Sequence, residues 1–389
     1  MSTDFSRTRN AIILGIILCV LMMPPGAAAT MEDFEAGGAI FGVFNAIQQE
    51  NRDDDDPRRN QFDFAANVDF GWKIQKNIAG FVQFQAGPGE GSLLFAGPEA
   101  VITDVNITFN FDDPDASLTV GSFDTPFGEE TRVLTNNGTS FGNAFVLNSL
   151  FYDAFAGSSV GTLNTLGIMG ALSKGTVDLT LALTNGTEAT ASNPDGNYGI
   201  VGLIGFTPST LDELRIAASF IYSNDRTLSG ESGSEAEFTG WMAEGKYEFE
   251  KGFYGKGYLN HVIYGDDDSG TRDGVTSWMG EFRYGVEDWH IAARMSGWHP
   301  KDNNGDGSGI SPFMPIPGFA EPKPEIPPGP GGGTVLTDQS VRRIQIGGGL
   351  LVYENVLIKA EVFQDNYQHA TNGESTDTEG FIAGLNVRF

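Results

Sequence analysis

From Phe62 onward the chain alternates. Phe64, Ala66, Val68, Phe70, Trp72 and Ile74 are apolar, and Asp63, Asn67, Asp69 and Lys73 fall between them. The pattern returns after Val101, where Val105, Ile107, Phe109 and Phe111 alternate with Asp104, Asn106, Thr108 and Asn110. A period of two gives a β-strand one apolar and one polar face. Sixteen runs of this kind can be marked, over 38–48, 61–74, 78–88, 100–111, 116–125, 162–173, 176–185, 197–207, 213–223, 237–249, 252–264, 275–286, 289–299, 341–353, 356–366 and 379–389. Most exceed the five or six residues usual in a soluble strand. They match the roughly 9–11 residues of a tilted strand that crosses a bilayer.

The connections between the runs alternate as well. Odd-numbered ones are long and polar, such as Glu50 to Asn60, Pro126 to Gly161 and Pro300 to Ser340. Even-numbered ones are short, such as Gln75-Lys76-Asn77, Ser173-Lys174-Gly175 and Glu354-Asn355. One end of the structure therefore carries loops and the other carries tight turns. A soluble β-sandwich explains alternating strands, but not this ordering of connections. The expected fold is all-β: a transmembrane antiparallel β-barrel of about 16 strands, with short periplasmic turns and long extracellular loops. In hydrocarbon an unpaired backbone N–H or C=O is costly, so the sheet must close on itself.

The first residues follow a different pattern. Arg7 and Arg9 precede an apolar run from Ala11 to Met23, followed by Pro24-Pro25-Gly26 and Ala27-Ala28-Ala29. A basic start, a short apolar stretch and small residues at the cleavage point are the marks of a secretory signal peptide over 1–29. The 13-residue run is too short for a membrane-spanning helix, which needs about 20. Cleavage after Ala29 removes the only cysteine and leaves 30–389 as a single barrel domain without disulfides. The alternation begins by about Ala39, which leaves no room for a plug ahead of the barrel.

Composition then narrows the function. The chain of 389 residues has 51 acidic and 23 basic side chains, a formal charge of −28. Nucleic-acid binding needs a basic footprint and is excluded as a partner class. Phenylalanine is frequent at 29 residues, which excludes a disordered acidic chain. His261, His290, His299 and His369 are scattered without metal-ligand spacing, and there is no G-x-S-x-G or Walker loop. No enzymatic signature is present. Asp302-Asn303-Asn304-Gly305-Asp306-Gly307 has the first half of a calcium loop, with Asp302, Asn304 and Asp306 as oxygen ligands. Phe313 stands where the closing Glu would be, and an Asn/Gly-rich loop explains the same residues. No cofactor is expected, with a structural calcium at this loop as the alternative. The segment from Pro312 to Pro330, within the connection 300–340, is Pro/Gly-rich and reads as extended extracellular chain.

Two segments carry a resemblance. Gly384-Leu385-Asn386-Val387-Arg388-Phe389 resembles the closing strand of Gram-negative outer-membrane barrels, with Phe381, Ala383, Leu385, Val387 and Phe389 as its outward row. Val120-Gly121-Ser122-Phe123-Asp124-Thr125-Pro126-Phe127-Gly128-Glu129-Glu130 resembles the G-x-F-x-x-P-F segment that opens the third loop of phosphate-selective porins of the O and P type. The long connection after it matches that family's constriction loop. The resemblance implies an outer-membrane porin: a water-filled channel for passive diffusion of small hydrophilic solutes and ions, reached after export, set in outer-membrane lipid and lipopolysaccharide and assembled as a homotrimer. It also implies that 126–161 folds inward. Asp124 stands where that family typically carries a basic residue, so phosphate selectivity is not carried over. A barrel that serves adhesion or envelope structure through its long acidic loops is the alternative.

Strand phase assigns the inward residues. Asp63, Asp69, Asp104 and Asp178 read as an acidic wall, with Lys73 as a basic exception. Arg215, Lys246, Lys256, Arg283, Arg294, Arg343, Lys359 and Arg388 read as a mainly basic one, with Glu244, Glu281 and Glu361 interspersed. The third loop adds Glu129, Glu130, Arg132 and Asp153. The expected constriction sets Arg283, Arg294, Arg343 and Lys359 against Glu129 and Glu130, because opposed charges in a confined channel select ions. Acidic runs at Asp53 to Asp56 and Asp266 to Asp268 read as solvated loops, or, more sharply, as a vestibule that concentrates cations at the entrance.

Overall fold

A computed structural model describes residues 34–49, 58–86, 100–128, 164–185, 198–223, 236–249, 252–266, 271–286, 288–301, 339–369 and 375–389. These contain sixteen strands: β1 (Phe34–Gln49), β2 (Arg58–Gln75), β3 (Ile78–Ala86), β4 (Ala100–Asp112), β5 (Asp115–Asp124), β6 (Asn164–Lys174), β7 (Val177–Thr184), β8 (Gly199–Phe206), β9 (Leu214–Ser223), β10 (Ala236–Glu248), β11 (Phe253–Asp266), β12 (Thr271–Val286), β13 (Trp289–Lys301), β14 (Gln339–Tyr353), β15 (Val356–His369) and β16 (Ser375–Arg388). Each expected run has its strand. The largest differences are extensions of four residues at the starts of β1, β12 and β16. In β12, Thr271 to Asp273 are polar on both faces, yet they pair with Tyr264 to Asp266 of β11. Backbone pairing continues there without any alternation to mark it.

Each strand is antiparallel to its sequence neighbours, and β1 pairs with β16 to close the barrel. The seam runs from Ala39 opposite Arg388 to Gln49 opposite Thr378. Gly38 and Phe389 finish it by exchanging two backbone hydrogen bonds of 3.1 Å each. The terminal phenylalanine thus closes the last rung, while its ring stays exposed on the outer face. Closure leaves no strand edge unpaired, as a bilayer demands.

The two strand phases separate outside from inside. Ile291, Ile346 and Val362 are 57%, 58% and 54% exposed on the outer face, whereas Arg294, Gln345 and Glu361 on the same strands are at most 2% exposed. An apolar exterior over a polar interior inverts a soluble protein and fits a barrel in lipid. Aromatic rings gather near the short turns on that exterior: Tyr247 and Phe249 lie 4.4 Å apart, and Phe253 and Tyr284 4.6 Å. Such a girdle suits the boundary between hydrocarbon and head groups.

The interior is not uniformly polar. Phe123, Val201, Ile221, Met242, Val262 and Trp298 belong to one buried apolar cluster inside the barrel. β8 contributes Val201 and Leu203 inward, while Ile204 and Phe206 face outward. Its sequence, GIVGLIGF, is apolar in both phases, so alternation alone does not say which side of this strand faces in.

Candidate functional site in the barrel interior

The chain leaves β5 toward the inside. Gly121 in that strand has φ of 130°, and a Cβ there would lie 2.2 Å from the Val105 carbonyl oxygen. Only glycine tolerates both that backbone and that approach. After Asp124 the chain folds sharply, with Phe127 N–H donating to the Thr125 carbonyl at 2.8 Å. Phe127 is fully buried. Its ring lies against Gly240 of β10, where an added Cβ would come within 3.4 Å of it. Gly128 N–H donates to Ser219 Oγ of β9 at 2.8 Å. Ser219 has the interior phase of β9, so the first residues of the third connection cross from β5 to the wall formed by β9 and β10. Glu129, Glu130, Arg132 and Asp153 lie outside the described residues.

Asp69 of the expected acidic wall accepts from Gln83 Nε2 at 2.7 Å across β2 and β3. Asp104 is buried on β4 and is the register partner of Gln83. Asp63 is the register partner of Val43 across β1 and β2. Asp178 joins the other wall instead: its carboxylate accepts from Arg215 Nη1 and Ser173 Oγ, each at 2.7 Å.

The basic wall carries its own counter-charges. Arg294 Nε donates to Glu281 at 2.8 Å, and Lys256 Nζ stands 4.0 Å from the same carboxylate. Arg343 reaches Asp365 through Nε and Nη2, each at 2.6 Å, with the Phe363 ring centred 4.5 Å from its guanidinium carbon. A planar fork on a carboxylate is the strongest geometry such a pair has. Gln345 donates to Glu361 at 3.2 Å, and Lys359 is buried beside them. Arg283 is half-buried, 6.0 Å from the Tyr254 ring. Arg294 and Arg343 thus sit in pairs along the wall, each with a carboxylate from the adjacent strand.

Register aligns these charges. Arg215, Lys246, Lys256, Glu281 and Arg294 are successive partners across β9 to β13, so five charged side chains form one interior row. Asp365, a partner in the best-formed pair, did not stand out in the sequence. It shares the odd-numbered phase of Lys359 and Glu361, which is the signal that would have found it. Among the described residues no group of three His, Cys, Asp or Glu side chains is placed to hold a metal. Asp302, Asn304 and Asp306 lie outside the described residues.

No protein-family profile matches the chain, and no curated protein matches it either. Solved structures do. An anion-selective porin from Comamonas acidovorans superposes with a TM-score of 0.61 at 10% identity, over 92% of this chain and 99% of that one. The outer-membrane channel DcaP of Acinetobacter baumannii gives 0.60 at 11% identity, over 92% and 97%. OprB of Pseudomonas putida gives 0.59 at 10%, over 92% and 95%. At 10–11% identity what is shared is the fold: a closed antiparallel barrel like those of these outer-membrane proteins.

Proposed function

We propose that this chain is an outer-membrane porin: a water-filled channel through which small hydrophilic solutes and ions diffuse passively. The observation that carries this reading is the inward start of the third connection, pinned by Phe127 and by Gly128 to Ser219 inside a closed sixteen-stranded barrel. A barrel used only as a scaffold has no need to direct a connection into its own interior. Charged side chains facing that interior supply what a channel uses to discriminate among solutes. On this reading the short turns face the periplasm and segment 1–29 directs export. The barrel sits among outer-membrane lipid and lipopolysaccharide, as a homotrimer.

Selectivity in this proposal comes from interior charge. Arg283, Arg294, Arg343 and Lys359 lie on one side, and Glu129, Glu130, Arg132 and Asp153 are contributed by the third connection. Planar-bilayer recording of the purified, full-length protein tests the function. Stable open-channel steps in potassium chloride are expected. A barrel that inserts and stays silent refutes the channel and favours a role in adhesion or envelope structure. Arg283→Glu is expected to move the reversal potential in a salt gradient toward cation preference, and an unchanged potential removes Arg283 from the selectivity set.

A further inference from the structure

The interior row of charges contains an arrangement that its own carboxylates do not balance. Arg215, Lys246 and Lys256 are direct register partners on β9, β10 and β11. Like charges placed directly opposite each other in a sheet are destabilising. Arg215 has Asp178 as a counter-charge, and Lys256 shares Glu281 with Arg294. The side chain of Lys246, between them, makes no hydrogen bond or ion pair with any described residue. These side chains line a recess of about 100 Å³ in the barrel wall, just inside the end that carries the short turns. Glu244 is the sole carboxylate of its lining, against three cations.

The next interior row, one step further from the turns, has a different character. Ala217, Glu244, Tyr258 and Met279 are its successive partners, and they line the same recess. Tyr254 closes the lining on the turn side. A solute seated here meets cations at one level and, at the next, an aromatic ring, a thioether and a methyl group beside the Glu244 carboxylate. An inorganic ion would use only the first of these. We infer that the recess binds a small organic carboxylate, with its carboxylate on Lys246 between Arg215 and Lys256 and its carbon body against Tyr258 and Met279. The site deepens the channel reading, since a solute leaving the barrel at this end passes it.

Benzoate is a suitable probe, titrated by calorimetry into the full-length protein folded in detergent. Saturable binding is expected, with Lys246→Gln weakening it at least tenfold and Lys246→Arg restoring most of it. Lys76→Gln, at an exposed turn where Lys76 pairs with Asp112, is expected to leave binding unchanged. Absent saturation, retained binding in Lys246→Gln, or equal loss in Lys76→Gln would each overturn the site. Inorganic phosphate binding as tightly as benzoate would overturn the organic carboxylate. Bilayer recordings on the same preparation separate this inference from the one it rests on. A silent protein that binds benzoate loses the channel and keeps the site; a conducting protein that does not bind keeps the channel and loses the site.

Discussion

Asp365 and Arg343 are at most 2% exposed, and two hydrogen bonds of 2.6 Å join them. Breaking such a pair strands one charge without compensation, which costs about 3–5 kcal/mol. Arg343→Ala is therefore expected to lower the unfolding free energy of the barrel by a comparable amount, read as a lower urea midpoint. Replacing both partners, as in Arg343→Met with Asp365→Leu, removes the stranded charge and should recover most of that loss. If the double variant is as unstable as the single one, the pair is not what holds this part of the wall. The sequence reveals half of this interaction. Alternation assigns Arg343 to the interior, and Asp365 follows from the same counting along its own strand. Their partnership depends on how β14 registers against β15, which no single-strand periodicity contains. For that reason the acidic and basic walls read from the sequence meet at Asp178 with Arg215, and Glu281, interspersed in the basic wall, is the counter-charge of Arg294.

Strands were the most legible features, because burial in lipid forces a period of two on the membrane-crossing part of each. Legibility ends where that constraint ends. β12 runs on into Thr271 to Asp273, polar on both faces, and β8 is apolar on both because its inner face joins the buried cluster. The outer phase itself is testable at Ile346, the middle residue of β14. Arginine on the lipid face near the bilayer midplane costs about 2–4 kcal/mol. Ile346→Arg should show that loss in refolding measurements from urea into lipid vesicles; no loss would mean that this face does not contact lipid. The start of the third connection gives a second test. Phe127 fills space against Gly240, and buried Phe→Ala changes cost about 3–5 kcal/mol. Ser219→Ala deletes the hydroxyl that accepts from Gly128 N–H and is expected to cost about 1 kcal/mol. Phe127→Ala should therefore destabilise the barrel by the larger amount and also alter single-channel conductance. Loss of stability with conductance intact would make Phe127 a packing residue only.

The whole molecule carries −28 over 389 residues, yet the described interior wall from β9 to β14 is dense in Arg and Lys paired to carboxylates. The unbalanced negative charge must be sought elsewhere in the chain, and the acidic runs Asp53 to Asp56 and Asp266 to Asp268 adjoin the long connections. Two sources of selectivity then compete, and salt distinguishes them. Charges in water are screened over about 10 Å at 0.1 M ionic strength and about 3 Å at 1 M, whereas buried pairs are screened much less. If acidic connections concentrate cations at the entrance, reversal potentials should report a cation preference at 0.1 M potassium chloride that fades at 1 M. Converting Asp53 to Asp56 to asparagine should weaken the low-salt preference and leave the high-salt value unchanged. A preference of the same size at both concentrations would locate selectivity in the interior, where Arg283 and the row from Arg215 to Arg294 come close to any passing ion. Net charge alone does not decide between these outcomes, since the sign at the narrowest section is set by a few interior side chains rather than by the sum over the chain.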